Sequence, residues 1–454
     1  MEIRVLAPTG VLGAGFKETS FQRGIELRPH VIACDAGSTD SGPAHLGSGV
    51  PKPSREAVKR DLRHLMLARD TLLVPLIIGS CGTSGRDVGV DWVEDIAREI
   101  AAEEGLHFRL ALIKSEQDGE YLKQRLREGR IRPLDPAPPL DEDVIDRSHI
   151  VGMMGVEPIE AALTEGAEVV LAGRASDTSL YAAVPHMMGA DLGLTWHMGK
   201  TIECGAACAV RPWSDSLFVY LYDSYFDVEV LDQTNGLTPQ SVAAHTLYEN
   251  ANPFLIPEPS GVLNTEWATY KAVSDRVVRV AGSRFEPAET YTVKLEGAAP
   301  AGYQTIAIGG IRDKVIIRQL DRLLPLAGDY FRDKILDVFG GKVDPSSIDI
   351  RYLIYGRDAV LGELEPLRHE TGHEVGVLIT VTASTQELAH AIMTFVAHAS
   401  AHLPIPEYHG LVSSLAYPFS PPEIDRGPVY RFTVNHVVLP DDPCEMFRTE
   451  MTQV

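Results

Sequence analysis

The sequence has no long apolar run, and this absence limits where the protein can reside. No stretch of about 18 or more consecutive apolar residues occurs, so the sequence predicts no membrane-spanning helix. The first residues, MEIRVLAPTGVLGAG, also lack the basic segment and the apolar stretch of an export signal. We therefore expect a cytoplasmic protein that has no membrane partner.

Cysteine is scarce, and its distribution argues against a disulfide framework. The chain has five cysteines, which are Cys34, Cys81, Cys204, Cys208 and Cys444. Their odd number and scattered spacing predict reduced thiols. Cys204 and Cys208 lie four positions apart, but no second cysteine or histidine pair follows at zinc-finger spacing. The sequence therefore predicts no structural zinc site there.

Positive charge is scarce as well. The chain has 41 lysine and arginine residues against 63 aspartate and glutamate residues, and its formal net charge is −22. Such a surface repels nucleic-acid phosphates unless a local basic patch exists. The two basic segments, 59–69 and 122–132, have the charge spacing of solvated helix faces. We therefore expect a small-molecule partner and no nucleic acid.

Strand-like and helix-like segments alternate through the first half of the chain. Short apolar runs typical of buried strands occur at 3–8, 30–38, 72–82, 108–116, 149–155 and 167–174. The segments with helical periodicity are 54–70, 90–105, 120–129 and 157–166. This alternation predicts an α/β fold, with a mostly parallel sheet and flanking helices in the N-terminal half.

The second half of the chain has a different pattern. β-branched and aromatic residues are frequent at 216–234 and 276–295, and mixed helix and strand patterns follow. This change predicts a smaller α+β C-terminal domain. The predicted divisions are an α/β domain at 1–235 that carries the polar loops, a second domain at 236–430, and a C-terminal strand and tail at 431–454. The tail offers a strand edge on which a partner can dock.

The loop after the second predicted strand, CDAGSTDSGPAHLGSG at 34–49, is dense in polar residues. Asp35 and Asp40 lie five positions apart with Ser38 and Thr39 between them. Carboxylates at a strand end suit general acid–base work, metal binding or hydroxyl recognition. We assign Asp35 and Asp40 as candidate catalytic residues and Ser38 and Thr39 as substrate-binding residues. Ordinary turn capping is the alternative.

The loop after the third predicted strand, GSCGTSGRD at 79–87, resembles an anion-binding loop. Its candidate substrate-binding residues are Ser80, Gly82, Thr83, Ser84 and Arg86. Backbone N–H groups in such a loop, with the following helix dipole, can hold a phosphate or carboxylate. Cys81 is a candidate nucleophile if its pKa is lowered there, and a small buried thiol is the alternative. The Walker motif is missing, so ATP hydrolysis is not predicted.

Two later segments add charged residues after apolar ones. In LAGRASDTSLYAA (171–183), we expect Arg174 and Asp177 to bind substrate. The alternatives are that a protein carboxylate pairs with Arg174 and that Asp177 caps a helix. In HMGKTIECGAACA (197–209), Glu203 is a candidate acid–base residue and Cys204 a candidate nucleophile. A buried helix end is the alternative for this segment.

The sequence predicts no certain cofactor, and it does not identify residues that would bind a metal ion. The first loop has glycines spaced G-x-x-G-x-G, which differs from the dinucleotide-binding G-x-G-x-x-G. His398 and His402 share a helix face, and His369, His373 and His390 lie in the same part of the chain, but H-E-x-x-H is absent. A divalent cation could polarise a substrate, although no ligand set stands out.

These segments together resemble the acyclic terpene utilisation family, the AtuA-like proteins. The resemblance rests on the order GVLGAGFKETSFQRG, HVIACDAGSTD, GVEPIEAALTEGAEVVLAGRASDTSLYAA and IECGA, followed by VKLEGAAPAGYQTIAIGG and RYLIYGRDAVLG. The Gly-Asp-Arg element that many members have in the first loop is replaced here by Phe16-Lys17-Glu18. The resemblance implies a two-domain α/β protein in the catabolism of branched carboxylates or their CoA thioesters. It also implies a small partner subunit, and assembly into a homo-oligomer is a further expectation.

Three functions are compatible with these residues. The first is a lyase or hydratase, in which Arg174, Arg86 and the loop at 79–87 hold a carboxylate while Asp35, Asp40 or Glu203 moves a proton. The second is a thiol enzyme for acyl transfer or thioester hydrolysis. The third is a non-catalytic subunit that presents substrate to a partner enzyme.

Overall fold

The computed structural model describes residues 2–248, 250–402 and 414–454. These residues form two compact units. The first unit contains the residues up to 299 together with 432–454, and the second contains 300–431. Among the described residues, no helix has both the length and the apolar composition needed to cross a membrane.

Both units contain β-strands. The strands are β1 (Ile3–Ala7), β2 (Val31–Asp35), β3 (Leu76–Gly79), β4 (Arg109–Lys114), β5 (Ile131–Pro133), β6 (His149–Met153), β7 (Val169–Ala172), β8 (Leu217–Leu221), β9 (Phe226–Val230), β10 (Leu255–Glu258), β11 (Gly261–Asn264), β12 (Thr269–Ser274), β13 (Val277–Ala281), β14 (Arg284–Pro287), β15 (Val293–Ile311), β16 (Asp349–Tyr355), β17 (Val375–Ala383), β18 (Ile424–Val438) and β19 (Arg448–Gln453). The predicted domain boundary at 235 falls inside the first unit, after β9.

Helices connect many of these strands. They are α1 (Glu18–Glu26), α2 (Pro43–Ser48), α3 (Arg55–Leu72), α4 (Asp87–Glu104), α5 (Gly119–Arg127), α6 (Glu142–Arg147), α7 (Glu157–Thr164), α8 (Asp177–Met187), α9 (Leu192–Ile202), α10 (Pro239–His245), α11 (Lys314–Ile317), α12 (Leu320–Phe339) and α13 (Gln386–Ala401). Local chemistry sets several of their ends. Ser54 caps α3 by accepting a hydrogen bond from the Ala57 N–H at 3.2 Å, and Gly105 ends α4 in a left-handed conformation.

The main sheet of the first unit has the strand order β12-β13-β9-β8-β1-β2-β3-β7-β4-β19. The segment β1-β2-β3-β7-β4 is parallel, whereas β8, β9, β13 and β12 on one side and β19 on the other are antiparallel to their neighbours. The α/β class is confirmed, but the prediction of a mostly parallel sheet is wrong. The sheet is mixed because short hairpins, which need no helical crossover, join β8 to β9 and β12 to β13.

Helices cover both faces of the parallel strands. Side chains alternate between faces along each strand, so Val5 and Ala33 share a core with Leu180 of α8. Leu6 and Ile32 share a core on the opposite face with residues of α3 and α4. With both faces covered, the carboxyl ends of the parallel strands are where the loops gather.

The predicted strand at 149–155 lies outside the main sheet. It forms β6, which pairs antiparallel with residues 294–298 of β15. This pairing matters for the site, because it brings residue Glu296 beside the parallel strands.

The second unit is built on antiparallel pairing. Residues 303–311 of β15 pair with β17, which pairs in turn with β16. Apolar residues of α12 and α13, including Phe331 and Ile392, share one core with these strands. The segments 317–340 and 385–402, whose sequences have helical periodicity, form α12 and α13.

Candidate functional site

Three polar loops of the first unit meet at the carboxyl ends of adjacent parallel strands. Asp35 is the last residue of β2 and lies opposite Gly79, the last residue of β3. Arg174 follows the end of β7, and β7 pairs with β3 on the side away from β2. The loops at 34–49, 79–87 and 171–183 therefore converge, as the rule for ligand sites in α/β sheets predicts.

Close backbone contacts hold these loops together. A Cβ atom on Gly37 would lie 2.6 Å from the Cα of Thr83, and one on Gly85 would lie 2.1 Å from the backbone nitrogen of Arg174. A Cβ atom on Gly10 would lie 2.5 Å from the carbonyl oxygen of Cys204. Only glycine allows such approaches. The glycine-rich loop that contains Gly10 is therefore in contact with the segment 197–209, which contains Cys204.

Arg174 is the most connected residue of the site. Its Nε donates to Glu296 at 2.7 Å, and its Nη1 donates to Asp177 at 3.0 Å and to Ser80 at 3.3 Å. The side chain is 6 % exposed. The guanidinium group is thus paired with protein carboxylates, which was the alternative to substrate binding. A role for Arg174 in holding a substrate carboxylate stays a prediction.

Glu296 is the main partner of Arg174. Its Oε1 accepts hydrogen bonds from Thr39 at 3.0 Å and from Lys294 at 2.8 Å. Burial raises the pKa of Glu296, but the charges of Arg174 and Lys294 outweigh burial and lower it to about 2. Glu296 is therefore an ionised anchor, and it orients Thr39 and Arg174.

Asp35 has the opposite character. Its Oδ2 accepts a hydrogen bond from the Gly37 N–H at 3.0 Å, while its Oδ1 is buried and has no hydrogen-bond partner among the described residues. Burial raises the pKa of Asp35 well above its ordinary value, and the charge of Asp177 adds to this. Burial also raises the pKa of Asp177, against the opposing charge of Arg174. Asp177 is 22 % exposed, so it lies at the solvent side of the cluster.

Two more carboxyl groups extend the cluster. Glu203 is 3 % exposed and accepts hydrogen bonds from Lys200 and, at 2.8 Å, from Thr178. Glu258, at the end of β10, accepts a hydrogen bond from Ser176 at 2.6 Å. Burial raises the pKa of Glu258 to about 8. The site therefore holds carboxyl groups of widely different pKa. Their hydrogen-bond partners include residues at the N-terminal end of α8.

The other residues predicted in the polar loops have separate surroundings. Asp40 is exposed and accepts a hydrogen bond from Ser38 at 2.5 Å. Arg86 pairs with Glu116, with an Nη2 to Oε1 distance of 3.0 Å. Ser84 donates to the carbonyl of His45 at 3.3 Å. Arg86 therefore has a protein carboxylate as its partner, as Arg174 does.

The backbone of the loop at 79–87 has an unusual conformation. Ser80 and Thr83 have positive φ angles of 47° and 81°, and a β-branched residue rarely adopts such an angle. The N–H groups of Gly82, Thr83 and Ser84 donate no hydrogen bond to an acceptor among the described residues. Strained backbone with unpaired donors is typical of ligand-binding loops.

The two candidate nucleophiles differ in exposure. Cys81 is fully buried, and burial raises the pKa of its thiol, which disfavours the thiolate. Its geometry therefore agrees with the alternative of a small buried thiol. Cys204 is partly exposed. Of the predicted histidines, His390 contacts Asp425 at 3.0 Å, and the rings of His398 and His402 lie 5.0 Å apart.

Sequence reasoning missed several residues of this site. They are Lys200, Glu258, Lys294 and Glu296. Glu258 and Glu296 lie on strands far along the chain from the polar loops, and no local pattern singles them out. Lys200 precedes Glu203 by three positions, a helical spacing that could have indicated the ion pair.

The fold and the site define an α/β protein with a buried acid–base cluster at the carboxyl ends of parallel strands. Residues 87–210 match the family model described as acyclic terpene utilisation family protein AtuA. The predicted resemblance to this family is confirmed over that segment, which includes Arg174, Asp177 and Glu203. Searches of curated proteins and of solved structures return no match to the chain.

Proposed function

We propose that the chain is a catabolic enzyme that adds water to, or eliminates it from, a small branched carboxylic acid or its CoA thioester. The observation that carries the proposal is Asp35, a buried carboxyl at the carboxyl end of a parallel strand, with a raised pKa and one oxygen that no described residue pairs with. A carboxyl whose pKa is raised by burial holds its proton more tightly than an ordinary carboxyl, which suits it to donate a proton to a departing hydroxyl group.

The second acid–base role falls to Asp177. Burial raises the pKa of Asp177 to about 6 although the charge of Arg174 opposes the rise, and its partial exposure leaves it accessible. In elimination, Asp177 removes the proton from the α-carbon, the electron pair forms the new double bond, and Asp35 protonates the hydroxyl that departs as water. Addition of water reverses these transfers.

The loop at 79–87 supplies a place for the acyl oxygen. The N–H groups of Gly82, Thr83 and Ser84, which donate to no acceptor in the described part of the chain, are suited to a carboxylate or a thioester carbonyl. The oxygen of such a group gains negative charge during proton removal. The family match supports a role in carboxylate utilisation and does not specify the reaction.

The test compares Asp35→Asn with Asp40→Asn. The two aspartates lie in the same loop, but Asp40 is exposed and outside the Arg174 network. Each purified variant is assayed with saturated 3-hydroxyacyl and 2,3-unsaturated branched acids and CoA thioesters, by following deuterium incorporation from heavy water. We expect Asp35→Asn to reduce turnover by about 10²–10⁴-fold, and Asp40→Asn to keep it. Full turnover by Asp35→Asn contradicts the proposal, and tight ligand binding without turnover by the unmodified protein supports a non-catalytic subunit.

A further inference from the structure

A second group of side chains lies where α9 and α10 end. Glu203 and Cys204 follow Ile202, the last residue of α9, and His245 is the last residue of α10. One potential ligand atom from each of Glu203, Cys204 and His245 lies within 4.8 Å of the other two. We propose that these three residues bind a zinc ion.

The donor atoms determine which ion fits. A carboxylate oxygen, a thiolate sulfur and an imidazole nitrogen are all ligands of zinc, and catalytic zinc sites have three protein ligands with one open position. Magnesium prefers oxygen ligands alone, so this set disfavours it. A tetrahedral zinc places its ligand atoms roughly 3.5 Å apart. Small side-chain rotations at Cys204 and His245 would therefore close the site.

His245 supplies an independent observation. The residue is 7 % exposed, and its Nε2 has no hydrogen-bond partner among the described residues. Leaving a buried polar atom without a partner costs free energy. Coordination of a metal ion by the ring would give this buried histidine a role that the described protein contacts do not supply.

The ligands lie on a backbone that is already held in place. A capping box starts α10, in which the Thr238 Oγ1 accepts from the Ser241 N–H at 3.0 Å and the Ser241 Oγ accepts from the Thr238 N–H at 3.1 Å. The approach of Gly10 to the Cys204 carbonyl fixes the other side of the site. Sites with preorganised ligands bind metal more tightly than sites that must form on binding.

Glu203 also has partners that orient it. Lys200 and Thr178 donate to its two oxygens, and a carboxylate oxygen can accept from more than one partner. Hydrogen-bond donors to a ligating carboxylate are common around metal ions in proteins. Thr178 follows Asp177 directly, so a zinc ion here would border the acid–base cluster, and its open position could polarise a substrate oxygen.

The test measures binding without turnover, so its result is independent of the proposed hydratase activity. The full-length protein is treated with a chelator and then titrated with Co²⁺, and Zn²⁺ is used to displace the cobalt. We expect one equivalent of Co²⁺ to give visible bands of a tetrahedral site and a thiolate charge-transfer band, both removed by Zn²⁺ and unaffected by Mg²⁺. Cys204→Ser should abolish the charge-transfer band. Removal of a residue that supports a metal ligand typically lowers metal affinity roughly 10–100-fold. Because His245 would be a ligand itself, His245→Gln should lower the affinity for Co²⁺ by at least that factor.

Matched controls use the other cysteines. Cys208→Ser, four positions away and outside the group, and Cys444→Ser, which is partly exposed like Cys204, should both keep the band. A band that survives Cys204→Ser overturns the proposal, as does the absence of a thiolate band in the unmodified protein.

A measurement on the unmodified protein covers the case in which Cys204→Ser does not fold. Zn²⁺ should protect Cys204 from iodoacetamide by at least tenfold in rate while leaving Cys444 reactive, with the labelled peptide identified by mass spectrometry. Equal labelling of Cys204 with and without Zn²⁺ contradicts the proposal.

Discussion

At the scale of single residues, Asp35 combines features that oppose stability. Its carboxyl is buried, one oxygen is unpaired among the described residues, and its pKa is raised in the folded state. Natural proteins tolerate such features mainly where function requires them. The same properties that suit Asp35 for proton donation should therefore lower the stability of the protein at neutral pH.

The pH dependence of this effect has a definite sign. Because the pKa of Asp35 is higher in the folded state than its ordinary value of 3.8, folding favours the protonated form. The contribution of the protonated carboxyl is complete below about pH 4 and is lost as the pH rises through the folded-state value. The Asp35→Asn variant, whose amide carries no charge at any pH, should not show this loss.

We therefore expect Asp35→Asn to be more stable than the unmodified protein at neutral and alkaline pH, by about 1–3 kcal/mol. The difference should shrink as the pH falls towards 4. Urea unfolding between about pH 4 and pH 9 measures it, and Asp40→Asn should follow the unmodified protein throughout. A difference between Asp35→Asn and the unmodified protein that is the same at every pH would show that the charge of Asp35 does not cause it.

At the scale of elements, the contacts between loops depend on glycines whose partners are backbone atoms. Gly85 has a φ of +69°, and a Cβ atom there would lie 2.1 Å from the backbone nitrogen of Arg174. Gly105, which ends α4, has a φ of +68° but no atom within 4 Å of its Cβ position. The two positions therefore share a positive φ angle and differ in the space available to a Cβ atom.

Replacement of these glycines by alanine should separate the two effects. Gly105→Ala should cost about 1–2 kcal/mol, the penalty of a left-handed conformation for an L-residue. Gly85→Ala should cost clearly more and should also reduce turnover, because the loop at 79–87 must move away from Arg174. Thermal unfolding and the deuterium assay measure the two effects. Equal costs for the two variants would mean that the close approach does not constrain the loop.

At the scale of the whole molecule, the C-terminal residues complete the main sheet. β19 pairs along the full length of β4, and Val454 exchanges backbone hydrogen bonds with Phe108. β19 is an edge strand of the described sheet, so its outer edge is one that a partner could extend. Docking of a small subunit at 431–454 stays a prediction, but the tail itself is a strand of this chain.

Removal of residues 448–454 should expose the edge of β4. We expect the truncated protein to unfold at a lower temperature and to aggregate, because an apolar edge strand would be left unpaired. Light scattering during a thermal scan measures both effects. Arg448→Ala, which changes a mostly exposed side chain and keeps the backbone, is the control. A truncated protein that stays monodisperse with an unchanged melting temperature would show that β19 contributes little to the sheet.

Much of the architecture follows from local sequence pattern. The apolar runs and periodic segments predicted β1, β2, β3, β4 and β7 and the helices α3, α4, α5 and α7, because hydrophobic periodicity is a local property. The structure brings Asp35, Ser80 and Arg174 together at one edge of the sheet, which agrees with the general rule for parallel strands. The sequence did not predict the antiparallel strands on both sides of the main sheet. Their pairing depends on which distant strand edges meet, and hydrophobic periodicity does not encode that.

The sequence by itself determined the class of fold, the polar loops and the resemblance to the acyclic terpene utilisation family. The tertiary structure decided which side chains pair with one another in the site. Glu296 reaches Arg174 only because β15 pairs with β6, and Glu258 reaches Ser176 from the end of β10. These long-range contacts set the burial and the neighbouring charges of each carboxyl, and burial and charge fix its pKa. The residue types could be read from the chain, but their acidity depends on the folded environment.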